Sequence, residues 1–541
     1  AGTDALAVGT VATATGPSTS AVGGESVATG PGATAFGWRS GANSERATAL
    51  GHLAQADGVR STAVGEAASA VGEQSVAVGN ESSATGVDAI AVGTQAVANG
   101  NSTTTVGGES VATGPGATAY GWQSGANAER ATALGHLAQA DGVRSTAVGE
   151  AASAVGEQSV ALGNESSATG VDAIAMGTQA VANGNSTTTV GGESVATGPG
   201  ATAYGWQSAA NAERATALGH LAQADGVRST AVGEAANAVG EQSVALGNES
   251  SATGVDAIAM GTQAVANGNS TTTVGGESVA TGPGATAFGW QSGANSERAT
   301  ALGHLAQADG IRSTAVGEAA SAVGEQSVAV GNESSATGID AMAMGTQAIA
   351  NGNSTTTVGG ESVATGPGAT AYGWRSAANA ERSSALGHLA QADGVRSTAV
   401  GEAANAVGEQ SVAIGNESSA TGVDAMAIGT QAVANGNSTT TVGGESVATG
   451  PGATAYGWRS AANAERSTAL GHLATANGLR STAVGEAAQA DGARAVAIGD
   501  GAVAAVAQGM GACLIFDVDT ISDNLVTKLH IRSADIVAHV D

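Results

Sequence analysis

Three observations predict an all-β solenoid built from short repeating coils. Glycine recurs about every seven residues from Gly9 to Gly499, and a block of 84 residues recurs around each tryptophan. Fixed short periods of this kind are typical of repeat architectures. Only 2% of the residues are aromatic, too few to fill the interior of a compact globule at the usual packing density. The interior of each coil must therefore be thin.

The seven-residue unit reads as one short strand followed by one tight turn. In the unit that ends at Gly79, the third and fifth places are Ser75 and Ala77, and the same places hold small residues in the neighbouring units. Alternate positions that are always small predict a strand with one face against a narrow interior. The glycine and the polar pair after it predict a turn with an unusual backbone conformation.

One coil contains two such units, because the fourth and sixth places alternate in character. They form apolar pairs, such as Val76 and Val78, and then polar pairs, such as Ser83 and Thr85. Each fourteen-residue coil therefore has one strand with an apolar outer face and one with a polar outer face. Coils stacked about 4.8 Å apart would build a rod on the order of 170 Å long.

The apolar outward residues form a column that is too large to stay exposed on a soluble monomer. We expect identical chains to bury it by associating side by side around a rotation axis. The residues predicted to form this core are Val8, Val22, Phe36, Leu50, Val64, Val76, Val78, Ile90 and Val92.

The runs Ser75–Gly79, Ser159–Gly163 and Ser411–Gly415 read SVAVG, SVALG and SVAIG. They resemble the head repeats of trimeric autotransporter adhesins, the YadA-like heads, and the resemblance covers about residues 1–500. It implies a left-handed parallel β-roll and a homotrimer whose Val and Ile column faces the threefold axis. It also implies a Gram-negative surface protein that binds host cells or matrix, or mediates aggregation. Bacteriophage fibre-like proteins with similar repeats are a second match.

The sequence divides into two parts after Gly499, where the seven-residue repeat of glycine ends. Residues 1–499 form six repeats of 84 residues, and residues 500–541 form a separate C-terminal element. That element has three short strand-like runs that are rich in large apolar residues, namely Cys513–Val518, Leu525–Ile531 and Asp535–Val540. Since an open solenoid end needs protection, we interpret 500–541 as a small β cap or a trimer-locking module. The start of a larger domain is the alternative.

A Phe/Tyr-Gly-Trp motif occurs once in every long repeat and has two interpretations. In the first, the Tyr120-type residue fills the trimer core and the tryptophan covers it. In the second, the tryptophan is a ligand platform with Arg39 and Arg46 nearby, since Trp and Arg are favoured residues for binding. The predicted platform residues are Trp38, Trp122, Trp206, Trp290, Trp374 and Trp458, and we expect their rings to be at least partly exposed.

Other candidate sites have simpler interpretations. His52 and its equivalents have no second His or Cys close in sequence, so we expect turn histidines and no metal site. We expect Glu45, Arg46 and Arg60 to take part in ordinary surface ion pairs. No catalytic constellation is visible, so we predict neither an enzyme nor a cofactor. The net charge of −28 argues against nucleic acid or an anionic membrane as a partner, and we expect no membrane span.

Three classes of function follow from these observations. The first is an adhesin head, partnered with itself and with host matrix or cell-surface molecules. Its expected location is extracellular or at the cell surface, in the outer membrane if an anchor lies outside this chain. The second is a bacteriophage fibre-like or other structural spacer, located on a virion in the phage case. The third is an ice-binding solenoid, which the interruption of the Thr104–Thr146 column by Val160 disfavours.

Overall fold

The structure is a computed structural model that describes residues 2–507 and the backbone of residues 510–512. The chain forms two compact units, Ala1–Ser278 and Val279–Asp541. Within the described residues both units consist of short β-strands joined by turns, with no helix. The prediction of an all-β repeat fold is therefore confirmed.

Each coil contains one strand of three residues, called the long strand here, and one strand of two residues, called the short strand. Both recur once in every coil. The first unit has long strands from Leu6–Val8 to Thr272–Val274 and short strands from Thr13–Ala14 to Val265–Ala266. The second unit has long strands from Thr286–Phe288 to Met510–Ala512 and short strands from Val279–Ala280 to Val503–Ala504.

Strands pair in parallel with the equivalent strand of the next coil. Val76–Val78 pairs with Ile90–Val92, so that Val76 lies opposite Ile90. Ser83–Ala84 pairs in the same way with Val97–Ala98. This fourteen-residue register confirms the predicted coil. Each unit thus has a long-strand face and a short-strand face, separated by a thin interior.

The interior is lined by alanine, serine and threonine. Ala77, Ala91 and Ala98 are fully buried, which confirms the predicted strand register. The largest fully buried side chains are threonines such as Thr105. The Thr105 hydroxyl donates a hydrogen bond of 3.0 Å to the Val97 carbonyl of the preceding short strand. A single hydroxyl therefore spans the interior, which leaves no room for larger side chains.

Two kinds of turn close each coil. We call the turns after the long strands edge 1, for example Gly79-Asn80-Glu81, and the turns after the short strands edge 2, for example Gly86-Val87-Asp88. The third residue of each turn is left-handed, with φ of 55° at Glu81 and 56° at Asp88. The sequence predicted an unusual backbone conformation in these turns, and the structure confirms it at the third residues and also at Gly79, which has a φ of 135°.

Gly86 has a different reason to be glycine. Its φ is not positive, but a Cβ atom there would lie 2.0 Å from the carbonyl oxygen of Gly100 in the next coil. Glycine on edge 2 therefore permits close stacking of the turns. The seven-residue repeat of glycine is interrupted on this edge by Ser44 and by its equivalents, such as Ala128.

The strand ladder extends beyond the predicted boundary at residue 499. Val503–Ala504 pairs with Gln489–Ala490, and Met510–Ala512 pairs with Val496–Ile498. The first part of the predicted C-terminal module therefore belongs to the solenoid. The three strand-like runs from Cys513 onward lie outside the described residues, so the cap stays a prediction.

We expect Ala91→Leu to destabilise its coil by about 1–3 kcal/mol, because the narrow interior has no space for a side chain larger than the buried methyl group. Hydrogen exchange measured by mass spectrometry should show faster exchange in peptides that cover residues 84–98. Ile90→Leu is the matched control, since Ile90 faces outward and is 38% exposed. Equal exchange in the two variants would contradict the assigned register.

We expect Gly86→Ala to cost about 3 kcal/mol, because the added methyl group would collide with the backbone of the next coil. The reverse change at the interrupted position, Ala128→Gly, should cost about 1 kcal/mol or less, chiefly from backbone entropy. Hydrogen exchange of the turns on edge 2 measures both effects. A Gly86→Ala variant as protected as the native chain would show that close stacking does not require glycine.

Candidate functional site

The long-strand face carries the apolar column that the sequence predicted as an association core. Val8, Phe36 and Ile90 are 51%, 43% and 38% exposed. The other predicted core residues also point outward and are partly exposed. The column thus lies on the outer surface of the single chain. Its burial by further copies of the chain stays a prediction.

The side chains on edge 1 repeat with a period of six coils. In six successive coils, the residue after the turn glycine is tryptophan, histidine, glutamate, asparagine, threonine and glycine. One full cycle is Trp122, His136, Glu150, Asn164, Thr178 and Gly192. Within it, His136 Nδ1 lies 3.6 Å from Glu150 Oε1. Asn164 Nδ2 donates a hydrogen bond of 3.5 Å to Glu150 Oε2.

The tryptophans adopt two arrangements on edge 1. The Trp122 ring lies over Gly108 of the preceding coil, where a Cβ atom would approach the ring to 2.6 Å. Trp38 instead stacks on His52, with ring centroids 5.3 Å apart and an interplanar angle of 25°. In both arrangements about half of the side chain stays exposed, 49% for Trp122 and 52% for Trp38. The expected exposure of the rings is confirmed.

Two exposed apolar side chains lie near Trp122 and extend the apolar long-strand face toward it. Tyr120, at the end of its strand, is 43% exposed, and Leu137 of the next coil is 40% exposed. Tyr120 precedes Trp122 by two residues at the end of the long strand, and Leu137 lies in the stacked edge 1 turn, where its amide donates a hydrogen bond of 2.9 Å to the Trp122 carbonyl. The tryptophan therefore lies at the margin of the apolar column, where either a ligand or a neighbouring chain could contact it.

Only one of the two arginines predicted to support the platform lies beside the tryptophan. The Arg39 guanidinium lies 5.8 Å from the centroid of the Trp38 ring, and its Nε is 2.8 Å from Glu25 Oε2. Arg46 follows the short strand Gly41–Ala42 and so belongs to edge 2. The prediction for Arg46 is wrong, because the short strand Gly41–Ala42 carries the chain from edge 1 to edge 2 between Trp38 and Arg46.

His52 lies on edge 1 as a turn residue, as predicted. Its Nδ1 lies 3.4 Å from Glu66 Oε1. Within the part of the chain that the structure describes, no cluster of three or more His, Cys, Asp or Glu side chains could hold a metal ion. The same residues contain no helix that is long and apolar enough to cross a membrane.

Edge 2 holds most of the basic residues of the chain, arranged as arginines in consecutive coils such as Arg46 and Arg60. The expected ion pairs are absent there, since among the described residues no carboxylate forms a salt bridge with either guanidinium. In the described part of the chain, the ion pairs of arginine are instead on edge 1, at Arg39, Arg375 and Arg459.

Edge 2 also has a surface cleft that the sequence analysis missed. In the second unit this cleft has a volume of about 320 Å³. Three consecutive coils line it with Asn437, Ser438, Pro451, Gly452, Glu465 and Arg466. The available signal was the Pro-Gly pair of the later long repeats, which follows an Asn-Ser pair by one coil and precedes a Glu-Arg pair by one coil. These three pairs form a cleft only because stacking of the coils brings them next to one another.

The chain is a β-solenoid repeat protein, because it stacks two-strand coils of one length, buries only small side chains and varies its side chains at the edges. Comparison with known families shows the family to which this solenoid belongs. The family described as YadA head domain repeat (2 copies) matches the chain in 25 adjoining or overlapping segments, from residues 1–26 to residues 476–502. The chain belongs to this family. The resemblance predicted from the SVAVG-type runs is thereby confirmed.

Among solved structures, the chain is similar to the crystal structure of the collagen-binding domain of the Yersinia adhesin YadA. The identity is 25%, and the match covers 28% of this chain and 69% of that one. The TM-score of 0.19 is too low for this likeness to support a conclusion. Among curated protein sequences, none matches this chain significantly.

Proposed function

We propose that this chain is the head of an extracellular adhesive fibre, which assembles as a homotrimer and attaches its bearer to host cells, matrix or other cells. Membership of the YadA head repeat family supports an adhesin-like role. The observation that carries the proposal is the exposed tryptophan that recurs at the same place in every long repeat. The role is structural and adhesive, without a catalytic step.

Assembly is the first part of the proposal. The apolar column continues along every coil of each unit, and burial of one Val or Leu side chain contributes roughly 1.5–3 kcal/mol. Summed over many coils, even a strongly discounted gain exceeds the entropy lost on association. Three chains around one axis would bring identical columns together, in the arrangement that the family resemblance implies.

Adhesion is the second part of the proposal. Tryptophan contributes strongly to binding when it enters a pocket on a partner. The long repeats place equivalent rings six coils apart, about 29 Å within a unit at a usual strand spacing. Many weak contacts at fixed spacing give a high combined affinity. A surface with multivalent ligands, such as matrix or a cell, is the kind of partner that this spacing suits.

The trimer is tested by light scattering, which should give about three times the chain mass of 51.1 kDa. Val78→Asp together with Val92→Asp should loosen the trimer locally, because buried unpaired charges are costly. Faster hydrogen exchange in these coils would report the change. Thr85→Asp with Asn99→Asp on the short-strand face is the control and should be tolerated. A soluble, monodisperse monomer of the native chain would refute the trimer.

The adhesive role is tested by replacing all six tryptophans with alanine and measuring binding of the chain to cells and matrix. We expect at least a tenfold loss, since every repeated contact is weakened at once. Circular dichroism should show an unchanged β-fold.

A matched control removes one exposed apolar side chain per repeat from the opposite edge. The substitutions to alanine are at Val59, Val143, Val227, Ile311, Val395 and Leu479, which are 37–46% exposed. This control should bind like the native chain. Unchanged binding by the folded tryptophan variant would exclude the platform and favour a structural role for the indoles. No binding by the native chain would favour the spacer function.

A further inference from the structure

We infer that the asparagines of the Asn-Ser-Thr turns on edge 2 carry an N-linked neutral sugar, and that its first ring lies in the cleft beside Asn437. This modification goes beyond the proposed adhesive function and does not depend on it. It concerns the edge opposite the tryptophans. The acceptor residues are Asn101, Asn185, Asn269, Asn353 and Asn437.

The sequence around these asparagines is an acceptor motif for N-glycosylation. Each one is followed by serine and then threonine, as in Asn437-Ser438-Thr439. Asparagine, any residue except proline, and then serine or threonine is the pattern that marks a glycosylated asparagine on a surface turn. The motif recurs every 84 residues on edge 2, so each long repeat presents it at the same place.

The side chain of Asn437 is held in place with its nitrogen free. Its Oδ1 accepts a hydrogen bond of 3.1 Å from the Val423 amide of the preceding coil. The other four acceptor residues make the equivalent hydrogen bond at 3.1–3.2 Å. Because the oxygen and nitrogen of an amide point apart, Nδ2 faces away from that coil, and it has no hydrogen-bond partner among the described residues. A sugar on Nδ2 therefore leaves the hydrogen bond of Oδ1 intact.

The Asn-Glu-Ser turns of edge 1 contain the same motif in different surroundings. Asn164 Nδ2 donates a hydrogen bond of 3.5 Å to Glu150 Oε2, and Asn248 Nδ2 donates one of 3.2 Å to Glu234 Oε2. A sugar on these nitrogens would compete with the glutamate for the same side of the amide. The acceptor residues of edge 2 lose no such contact.

The cleft beside Asn437 provides the space for a sugar ring. Its volume of about 320 Å³ is at the lower end of the usual range for small-ligand pockets, which suits one monosaccharide unit. The next coil contributes Pro451 and Gly452, and Gly452 has no side chain to fill the space. The stem of Arg466 bounds the far side, with its Cγ 3.4 Å from the place where a Cβ of Gly452 would lie.

The rim of the cleft favours a neutral sugar. It contains one carboxylate, that of Glu465, and one guanidinium, that of Arg466, so the two charges balance. Within the described residues neither side chain forms an ion pair. A carboxylate accepts hydrogen bonds and a guanidinium donates them, whereas a sugar hydroxyl does both. The net charge of −28 gives no attraction for an acidic sugar.

The same turns follow the acceptor residues elsewhere in both units. A Pro-Gly pair lies one coil after Asn101, Asn185 and Asn353, and a Glu-Arg pair lies two coils after them. The glycines Gly116 and Gly200 have φ of 72° and 70°. At both glycines, the arginine Cγ of the next coil lies 3.5 Å from the place of a Cβ. The geometry that forms the cleft beside Asn437 therefore recurs.

Attachment of the sugar must precede the stacking of the coils. Thr439 is fully buried, and its hydroxyl donates a hydrogen bond of 2.7 Å to the Gly436 carbonyl. An enzyme that recognises the third residue of the motif cannot reach this hydroxyl in the folded chain. Its substrate is therefore the unfolded chain, and folding then buries Thr439 while the side chain of Asn437 stays exposed.

The reaction requires a transferase and a sugar activated by a phosphate ester, on either a nucleotide or a lipid. Nδ2 attacks the anomeric carbon, and a C–N bond forms as the bond from that carbon to the phosphate oxygen breaks. The phosphate leaves with the electron pair of that bond, and Nδ2 releases one of its two protons. Nothing is oxidised or reduced.

Mass spectrometry of the full chain, purified from the organism that makes it, tests the inference. We expect peptides with the five acceptor residues to carry the mass of one or more neutral sugar units. Electron-transfer fragmentation should locate that mass on asparagine. Unmodified asparagine at all five positions would overturn the inference, and so would sugar on the edge 1 asparagines alone. An acidic sugar would overturn the assigned class.

A matched pair of variants, expressed in the same organism, tests whether the motif is recognised. Thr→Ala removes the motif and should abolish the modification, whereas Thr→Ser keeps the motif and should retain it. Both should fold, because this place holds the fully buried Ala89 and Ser75 in other coils, and circular dichroism checks this. Sugar on the folded Thr→Ala variant would contradict the assignment. The substituted positions are Thr103, Thr187, Thr271, Thr355 and Thr439.

Modification of arginine by phenylglyoxal tests whether the ring lies in the cleft. Arg466 should react about threefold more slowly in the native chain than in the Thr→Ala variant, because a ring in the cleft covers part of its rim. Arg459 on edge 1 is the control and should react at the same rate in both. Equal rates at Arg466 would show that the sugar projects into solvent and would overturn its placement in the cleft.

Discussion

The width of the coil interior is the constraint on which the rest of the structure depends. Two short strands face each other so closely that the Thr105 hydroxyl reaches the Val97 carbonyl of the opposite strand. Only alanine, serine and threonine fit between them. Larger side chains must then face outward, and stability comes from the backbone ladder of stacked coils together with many small buried methyl groups.

This constraint places the specific chemistry of the chain on its faces and edges. The backbone repeats with every coil, but the side chains on the edges repeat only once in six coils. A uniform scaffold therefore presents a small set of surface motifs at fixed intervals. Since each coil contacts only its neighbours, a motif on one coil can vary without disturbing the interior elsewhere.

The two edges of the coil differ in what they present. Edge 1 continues the apolar long-strand face through Tyr120 and Trp122, and its arginines are paired with glutamates. Edge 2 carries arginines without carboxylate partners in the described residues, together with the Pro-Gly clefts. The two edges therefore present different surfaces to a partner.

The sequence by itself determined the coil length, the strand register and the outward position of the apolar column. These features follow from periodic signals within a few residues, such as the always-small positions of Ser75 and Ala77. It also determined the family, through the SVAVG-type runs. The candidate site could be derived only in part. The exposure of the tryptophans was predicted correctly, whereas Arg46 was wrongly predicted to lie beside the tryptophan.

The tertiary structure alone decided which side chains meet between coils. Trp38 stacks on His52 whereas Trp122 lies over Gly108, although both belong to the same sequence motif. The stem of Arg466 packs over Gly452 and forms a cleft from residues of successive coils. Such contacts depend on the stacking of the turns and on the rotamer that each side chain adopts there. A periodic sequence specifies its own repeat, but only the stacked backbone brings residues of different coils together.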